Sequence, residues 1–319
     1  MCTYNGARHL PAQLRSIAAQ KRPPDEIVVC DDRSSDQTAE IVRNFVRHTH
    51  FPVRVFVNEQ NLGSTRNFEG AISLCLGKIV VLADQDDVWY PTKLLCLESA
   101  FRAPAAPLAV FSDADVIDDN SHALHRRLWD VVGFKPSEQR RFAAESALKL
   151  MVKHPIVTGA TLAFRKEYFD FLRPFPPEVI HDRWMSMLLA SLGRVTAITE
   201  PLMQYRKHQY QQIGVRPETL PEIVEDARLK GELLYICEIG FFERVLTHLK
   251  ELRKSLPRAG DAIPEIEKKI SHLERRVHLR QGAMSRVTGI VREVCNRGYW
   301  RYSAGWQSVA KDLFLPASS

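Results

Sequence analysis

Hydrophobic residues in the first two thirds of the chain follow two alternating patterns. Short, mostly β-branched runs such as residues 79–83 predict strands that are buried on both faces, and residues 53–57 alternate as a further strand. Between the strands, apolar residues recur at helical spacing, as they do over residues 68–75. Strands that alternate with helices predict an α/β fold, with a doubly wound, mostly parallel sheet flanked by helices.

The pattern changes beyond residue 217, where helical spacing continues without further strands. The last stretch, around Trp306, interleaves aromatic residues with cations. We therefore predict an α/β domain over residues 1–216 and a helical, basic and aromatic extension over residues 217–319. Within the first domain, residues 129–141 are predicted to form a loop.

The charge and the cysteines narrow the class of protein. The chain has a formal charge of +6 and an isoelectric point near 9.0. Its six cysteines include no Cys-x-x-Cys pair, which favours reduced thiols and a cytoplasmic protein. For the basic extension, one interpretation is surface helices that pack on the α/β domain, and another is peripheral contact with the anionic inner face of the plasma membrane. We expect no nucleic-acid binding, because no recognised motif accompanies the charge.

Carboxylates follow three of the predicted strands. The three groups are Asp31 with Asp32, Asp84 with Asp86 and Asp87, and Asp113 with Asp115. Right-handed crossovers bring the carboxyl ends of parallel strands to one edge of a sheet, so we expect one site there. Oxygen ligands favour a hard cation such as Mg²⁺ or Mn²⁺. A solvated acidic turn with a helix cap is the alternative.

An ordered series of motifs now carries a family resemblance. The motifs are Thr3-Tyr4-Asn5-Gly6, Asp31-Asp32-x-Ser34-x-Asp36-x-Thr38, Asn61-x-Gly63, Asp84-x-Asp86-Asp87-x-Trp89, His181-Asp182-x-Trp184 and Tyr205-Arg206-x-His208. The series resembles family 2 glycosyltransferases of the GT-A fold, and most of all the bacterial rhamnosyltransferase-like branch. The resemblance covers about residues 2–214.

The resemblance implies a role for each matching residue. The residues expected to bind the nucleotide are Thr3, Tyr4, Asn5, Asp31, Asp32, Asn61 and Asp84. One of the paired aspartates would accept a hydrogen bond from the ring N–H of uracil or thymine. Asp86 would ligate the divalent cation, while Arg206 and His208 would cover the diphosphate from a mobile lid. The residues expected near the donor or acceptor sugar are Asp113, Asp115, Gly159 and Trp184.

Asp182 is the predicted general base. It opens the helix that the pattern predicts after it, so helix capping is the alternative role. A helix N-terminus favours the carboxylate and lowers its basicity, whereas burial against Trp184 acts in the opposite direction. One base and direct displacement invert the anomeric centre, whereas two carboxylates flanking the bond are the arrangement of hydrolases.

These roles together predict a metal-dependent, inverting glycosyltransferase of cell-surface polysaccharide synthesis. The expected donor is dTDP-rhamnose or a UDP-hexose, and the expected acceptor is lipid-linked or a polysaccharide. One alternative is a sugar nucleotidyltransferase, although the chain has no Gly-rich, Lys/Arg-bearing triphosphate loop near residue 1. Another is a non-catalytic member that binds nucleotide sugar or is a scaffold in an assembly complex.

Two features depart from the family pattern. The first strand is nearly absent, because Met1 stands directly before the nucleotide loop. This leads to the hypothesis of a start site assigned too late or a truncated reading frame, which mass spectrometry of the native N-terminus would test. Arg33 stands where the family usually has glycine, and arginine does not adopt positive φ freely, so we expect a local difference in that turn.

Overall fold

The chain forms two compact units. The computed structural model describes residues 1–104, 106–144, 146–208, 233–279 and 283–314. The described residues of the first unit are 1–104, 106–144, 156–189 and 193–208, and those of the second unit are 146–155, 190–192, 233–279 and 283–314. All of the predicted site residues lie in the first unit.

The first unit begins with a three-stranded parallel sheet. Its strands are β1 (Cys2–Thr3), β2 (Ile27–Asp31) and β3 (Val53–Val57), in that order across the sheet. One helix follows each strand, namely α1 (Leu10–Ala18), α2 (Thr38–Val46) and α3 (Ser64–Leu74). Strand β2 is buried at every position, as its apolar run predicts.

A second, six-stranded sheet carries the remaining strands. They are β4 (Ile79–Val81), β5 (Val88–Trp89), β6 (Ala109–Ile117), β7 (Ala123–Arg127), β8 (Leu162–Arg165) and β9 (Val195–Arg206). The order is β4-β8-β6-β9-β5, with β7 paired to β6. The α/β class is confirmed. The pairing in this sheet is mixed rather than mostly parallel, because β8 inserts antiparallel between β4 and β6, and only the β6–β9 pair is parallel.

Strand β6 corrects one part of the predicted site. The strand was predicted to end near Phe111, so that Asp113 and Asp115 would follow it. Pairing with β9 on one side and β7 on the other instead extends β6 to Ile117. Both aspartates therefore lie inside a strand rather than at its carboxyl end.

Six α-helices of the described chain lie between β5 and β9, and the one at residues 147–151 belongs to the second unit. They are α4 (Lys93–Arg102), α5 (Leu128–Val131), α6 (Pro136–Ala144), α7 (Ala147–Met151), α8 (Phe169–Leu172) and α9 (His181–Leu192). The loop predicted over residues 129–141 is wrong, since α5 and α6 occupy it. Both are held by buried aromatic rings, with Trp129 and Phe134 in edge contact at 4.9 Å between centroids.

The described part of the second unit after residue 232 is helical. Its helices are α10 (Leu233–Leu252), α11 (Ile263–His278), α12 (Ala283–Cys295), α13 (Gly298–Tyr302) and α14 (Trp306–Phe314). Buried polar groups join them. The Arg276 guanidinium bonds to Asp312 at 2.7 Å, and His272 lies between Glu293 and Ser303. In the part of the chain described, no helix is long and apolar enough to cross a membrane.

Candidate active site

The loop after β1 is fastened to the loop after β2 by the Asp31 carboxylate. Asp31 is buried and accepts hydrogen bonds from the Thr3 hydroxyl at 2.7 Å, and from the Ser34 hydroxyl and amide at 2.6 and 2.8 Å. Three of its four acceptor positions are thus used within the protein. Asp31 organises the predicted nucleotide loop and keeps one acceptor position for a further donor.

Asp32 fastens the same edge to the loop before α3. Its carboxylate accepts from the Asn58 amide group at 2.8 Å and from the backbone N–H groups of Leu62 and Gly63 at 2.8 and 2.9 Å. Asn61 caps this turn, and its side chain bonds to the Asp32 carbonyl oxygen and to the Gly63 amide. Asp32, like Asp31, retains one acceptor position.

Two residues of these loops have left-handed backbones. Asn5 has φ 46° and accepts a hydrogen bond from the Ser35 amide at 2.8 Å. Arg33 has φ 62°, so the expected local difference in this turn is wrong. The turn keeps the conformation that favours glycine, and the bonds that Ser34 makes to Asp31 hold it there at a cost of about 1–2 kcal/mol in backbone strain.

A glutamine joins two loops of the site. The nucleotide loop is the loop between β1 and α1 (residues 4–9), and the acidic loop is the loop between β4 and β5 (residues 82–87). Gln85 Oε1 accepts from the Tyr4 amide at 2.9 Å, and Gln85 Nε2 donates to the Tyr4 carbonyl at 2.9 Å. We call this reciprocal pair the Gln85 clamp. A Cβ atom at Gly6 would collide with the Gln85 amide, so only glycine permits this approach.

The acidic loop brings three carboxylates together, those of Asp84, Asp86 and Asp87. Burial, with the charges of Asp86 and Asp182, raises the pKa of Asp84 to about 7. Burial and the charges of Asp86 and Asp84 also raise the pKa of Asp87 well above its usual range. Asp87 Oδ1 accepts from the Arg206 amide at 3.0 Å, whereas no described residue donates to its buried Oδ2.

Lys93 is a buried amine next to this loop. Its side chain is fully buried, donates to the Ala160 carbonyl at 2.8 Å and lies 4.3 Å from the centroid of the Trp89 ring. Burial lowers the pKa of Lys93 to about 7, against the opposing effect of Asp87 and Asp84. The nearby carboxylates thus favour the charged form of Lys93, and that form in turn offsets part of their charge.

The residues at the mouth of the acidic loop fit a divalent cation. Asp86 Oδ2 lies 2.9 Å from His208 Nε2. Beside them, His9 contacts Asp119 at 3.0 Å, and the ligating atoms of His9, Asp119 and His208 lie within 4.8 Å of one another. Carboxylate oxygens with imidazole nitrogens suit Mn²⁺, and a cation would relieve the repulsion that raises the carboxylate pKa values.

Arg206 corrects a second prediction. It is buried at the end of β9, where Nε donates to the Asp86 carbonyl at 2.7 Å. Nη1 donates to the Asp118 and Asp119 carbonyls at 3.0 and 3.2 Å and to the Ser121 hydroxyl at 2.9 Å. The guanidinium is thus a strut between the acidic loop and the turn after β6 rather than part of a mobile lid. Residues 209–214 of the predicted lid lie outside the described residues.

Asp182 lies in the first turn of α9. Its Oδ2 accepts from the Gly159 amide at 2.8 Å, and its charge contributes to the raised pKa of Asp84. A Cβ at Gly159 would stand 3.2 Å from the Asp182 Cβ, so the two backbones meet because residue 159 lacks a side chain. Asp182 Oδ1 accepts no hydrogen bond from any residue described here. His181 stacks on Phe68 at 3.9 Å, and burial lowers its pKa, so its ring is neutral.

Three residues predicted near the sugar have other surroundings. Trp184 is buried, and its indole N–H donates to the Leu172 carbonyl at 2.8 Å. Asp113 is buried and accepts from the Trp129 amide at 3.0 Å. Asp115 accepts from the Tyr90 hydroxyl at 2.6 Å. These contacts stabilise the core and the second sheet, and the sugar contacts of the three residues stay predictions.

Two contributors were missed in the sequence. Lys93 had a visible signal, because it lies on the apolar face of α4 with Leu97 and Phe101 at helical spacing. Gln85 had none, since a single residue inside an acidic motif does not reveal a partner 81 positions away.

Comparisons with known proteins agree with the family resemblance and with the fold. A family model described as glycosyl transferase family 2 matches residues 1–173. An uncharacterized glycosyltransferase from Nostoc sp. is 26% identical over 208 residues, which cover 64% of this chain and 62% of that protein. The dTDP-rhamnosyl transferase RfbG of Shigella flexneri is 24% identical over 231 residues, which cover 67% of this chain and 73% of RfbG. The chain spans about three fifths of the length of the first curated relatives it matches.

One solved structure shows the same fold over most of the chain. TarS 1–349 from S. aureus, in complex with UDP-GlcNAc, superposes with a TM-score of 0.53 at 18% identity. The superposition covers 93% of this chain and 90% of the TarS chain.

Proposed function

Because this chain belongs to glycosyl transferase family 2 and has the GT-A fold, we propose that it is an inverting glycosyltransferase. It moves a sugar from a nucleotide-diphosphate sugar to a hydroxyl acceptor. The observation that carries the proposal is the position of Asp182 in the first turn of α9, where the Gly159 amide holds its Oδ2 at 2.8 Å and no described residue donates to its Oδ1.

The donor in this proposal carries a pyrimidine base. Asp31 and Asp32 each keep one acceptor position, and the ring N–H of uracil or thymine is a donor that either can bind. A dTDP-rhamnose donor is our first choice, supported by the name of the relative RfbG, and a UDP-hexose is the second. Asp84 then contacts the ribose, next to the Gln85 clamp.

Asp86 and His208 hold the divalent cation in this scheme, and His9 with Asp119 stand beside them. A bound cation would neutralise charge on the departing diphosphate. The chain itself contributes the rigid support: Arg206 fixes the backbone of Asp86, and Lys93 balances the charge of the neighbouring carboxylates.

Asp182 accepts the proton of the acceptor hydroxyl at its Oδ1 atom. The acceptor oxygen forms a bond to the anomeric carbon as the bond from that carbon to the diphosphate oxygen breaks, so the configuration inverts and the nucleoside diphosphate leaves. The Gly159 amide keeps Oδ2 in place, which orients Oδ1 without consuming it. General-base help of this kind contributes roughly 10²–10⁴-fold.

The test uses an Asp182→Asn variant with dTDP-rhamnose and a panel of UDP-sugars in the presence of Mn²⁺. Asparagine keeps the shape but cannot take the proton, so donor binding should persist while transfer falls by about 10²-fold or more. The control is Asp25→Asn, a change at an 80% exposed side chain that should leave both unchanged.

Two results would count against the proposal. If the Asp182→Asn variant transfers sugar at the wild-type rate, Asp182 is not the general base. A wild-type chain that binds no nucleotide with any metal would favour the scaffold alternative. The preference for a pyrimidine base is tested separately. UDP methylated at the ring N3 should bind at least tenfold more weakly than UDP, because it lacks the N–H that would donate to Asp31 or Asp32.

We further propose that the reaction belongs to cell-surface polysaccharide synthesis and takes place at an anionic membrane face. Trp306 of α14 is 67% exposed, and basic side chains surround it in the sequence. An exposed tryptophan among cations suits a lipid interface, where a lipid-linked acceptor would be found. The full chain should float with vesicles that contain anionic lipid, and the Trp306→Ala variant should not. Flotation that does not depend on anionic lipid would contradict the proposed membrane contact.

A further inference from the structure

Three potential metal ligands meet beside Asp86, each from a different part of the first unit. His9 ends the nucleotide loop, Asp119 lies in the turn after β6, and His208 follows β9. Their ligating atoms lie within 4.8 Å of one another. We call these three residues the His9 cluster. Asp86 contacts the cluster through His208, whose Nε2 lies 2.9 Å from the Asp86 carboxylate.

Asp119 is held in position from two sides. Its Oδ2 pairs with the Arg8 guanidinium at 2.5 Å, and its backbone carbonyl accepts from Arg206 at 3.2 Å. Its Oδ1 lies 3.0 Å from His9 Nε2. Partners behind a ligating carboxylate fix its direction. The Asp119 Oδ1 atom is therefore directed at the imidazole of His9 before any metal arrives.

The two histidines are held on fixed backbone as well. The His9 amide donates to the Gly6 carbonyl at 3.1 Å, and His208 stands two residues after the buried Arg206. Their ring centroids are 5.1 Å apart. The side chains of His9 and His208 are 12% and 9% exposed, whereas that of Asp119 is 31% exposed. A metal ion can thus enter from solvent on the side of Asp119.

The donor set of the His9 cluster suits Zn²⁺. Two imidazole nitrogens and one carboxylate oxygen are three protein ligands, which leave a fourth position for water. Tetrahedral Zn²⁺ with bonds of about 2.0–2.2 Å places its ligand atoms roughly 3.4 Å apart, so small side-chain rotations would close the cluster. A simple hydrogen-bonded pair of His9 with Asp119 would need no second imidazole within ligating reach.

We propose that His9, Asp119 and His208 form a Zn²⁺ site, and that Zn²⁺ bound there withdraws His208 from Asp86. The inference rests on the proposed function in one respect, since it takes Asp86 and His208 as the residues that hold the catalytic cation. Zn²⁺ would then inhibit sugar transfer.

The two cation sites have different preferences and share one ligand. Nitrogen ligands bind Zn²⁺ more tightly than Mn²⁺ or Mg²⁺, whereas Asp86 and the oxygens of a diphosphate suit the harder ions. Because His208 serves both sites, each cation weakens the binding of the other by the same factor. Inhibition therefore comes from a weakened Mn²⁺ site rather than from Zn²⁺ taking the place of Mn²⁺.

The first test measures metal binding to the full chain, with Co²⁺ as a spectroscopic substitute for Zn²⁺. The wild-type chain should take up one Co²⁺ with the visible absorption of a four-coordinate site, and Zn²⁺ should displace it. His9→Phe keeps a ring but has no ligating nitrogen, and should weaken Zn²⁺ binding by about tenfold or more. Asp119→Asn should weaken it similarly. The control is His50→Phe, which changes an exposed histidine of the same unit and should leave Zn²⁺ binding unchanged.

The second test measures the Kd of Mn²⁺ by paramagnetic resonance, at the Zn²⁺ concentration that saturates the wild-type cluster. Zn²⁺ should raise this Kd by about tenfold or more in the wild-type chain and leave it unchanged in His9→Phe. Equal increases in both chains would overturn the proposal, because Zn²⁺ would then replace Mn²⁺ directly at Asp86.

Two outcomes of the first test would also overturn it. One is equal Zn²⁺ affinity of the wild-type and His9→Phe chains, and the other is a thiolate charge-transfer band with Co²⁺, which would assign the metal to cysteines. Failure of the proposed function looks different. A chain that binds Zn²⁺ through His9 but transfers no sugar from any donor would refute the transferase and uphold the Zn²⁺ site.

Discussion

The Arg206→Lys variant tests whether the Arg206 guanidinium supports the acidic loop or instead contacts the diphosphate of the donor. Lysine keeps the positive charge but replaces a planar fork with a single nitrogen. Arg206 reaches four oxygens, those of Asp86, Asp118, Asp119 and Ser121, at 2.7–3.2 Å, and one ammonium group cannot reach all of them. Losing two bonds to a charged donor, at about 1.5 kcal/mol each, costs about 3 kcal/mol.

The assay is thermal unfolding of the full chain together with donor kinetics in Mn²⁺. A cost of about 3 kcal/mol in a unit of this size corresponds to a fall of roughly 6–12 °C in its melting temperature. The Arg102→Lys variant is the control, because that side chain is 77% exposed. An unchanged melting temperature with a raised KM for the donor would refute the strut, and would restore the contact with the diphosphate that the sequence predicted.

Three further predictions concern other buried contacts. Gly159→Ala should lower kcat at least tenfold with a small loss of stability, because the new Cβ presses on Asp182; an unchanged kcat would show that the close approach is not needed. Lys93→Met should cost roughly 1–3 kcal/mol in urea unfolding, since the buried Ala160 carbonyl loses its donor, and equal stability would contradict this. Burial lowers the pKa of His272. At Glu293 burial acts to raise the pKa, but hydrogen bonds with His272 and Arg275 outweigh it and lower the pKa. Both groups therefore stabilise the second unit at pH values above their unfolded pKa values. That stability should fall as the pH drops below about 6, as followed by tryptophan fluorescence, and His272→Gln should flatten the upper part of the curve.

Local patterns were enough to predict several strands and the helix whose first turn contains Asp182. Val53–Val57 has the predicted bounds, since alternation over five residues leaves little choice of face or length. Asp182 was placed correctly at the start of a helix because apolar periodicity begins directly after it. In both cases the signal lies within a few residues of the feature.

The wrong predictions share a different origin. Asp113 and Asp115 were read as a strand end, because carboxylates usually mark one, but the partners that prolong β6 come from later in the chain. Arg206 was assigned to a mobile lid, although three of its acceptors are backbone carbonyls more than 80 positions earlier. Carbonyl oxygens belong to every residue, so no side-chain pattern reveals them.

The Gln85 clamp makes the nucleotide loop and the acidic loop one cooperative element. One side chain holds Tyr4 at both its amide and its carbonyl, so neither loop can loosen without breaking the same two bonds. A ligand that orders one loop thereby removes part of the entropy cost of ordering the other. Donor and cation affinities are then reciprocally linked: the factor by which the cation tightens the donor equals the factor by which the donor tightens the cation.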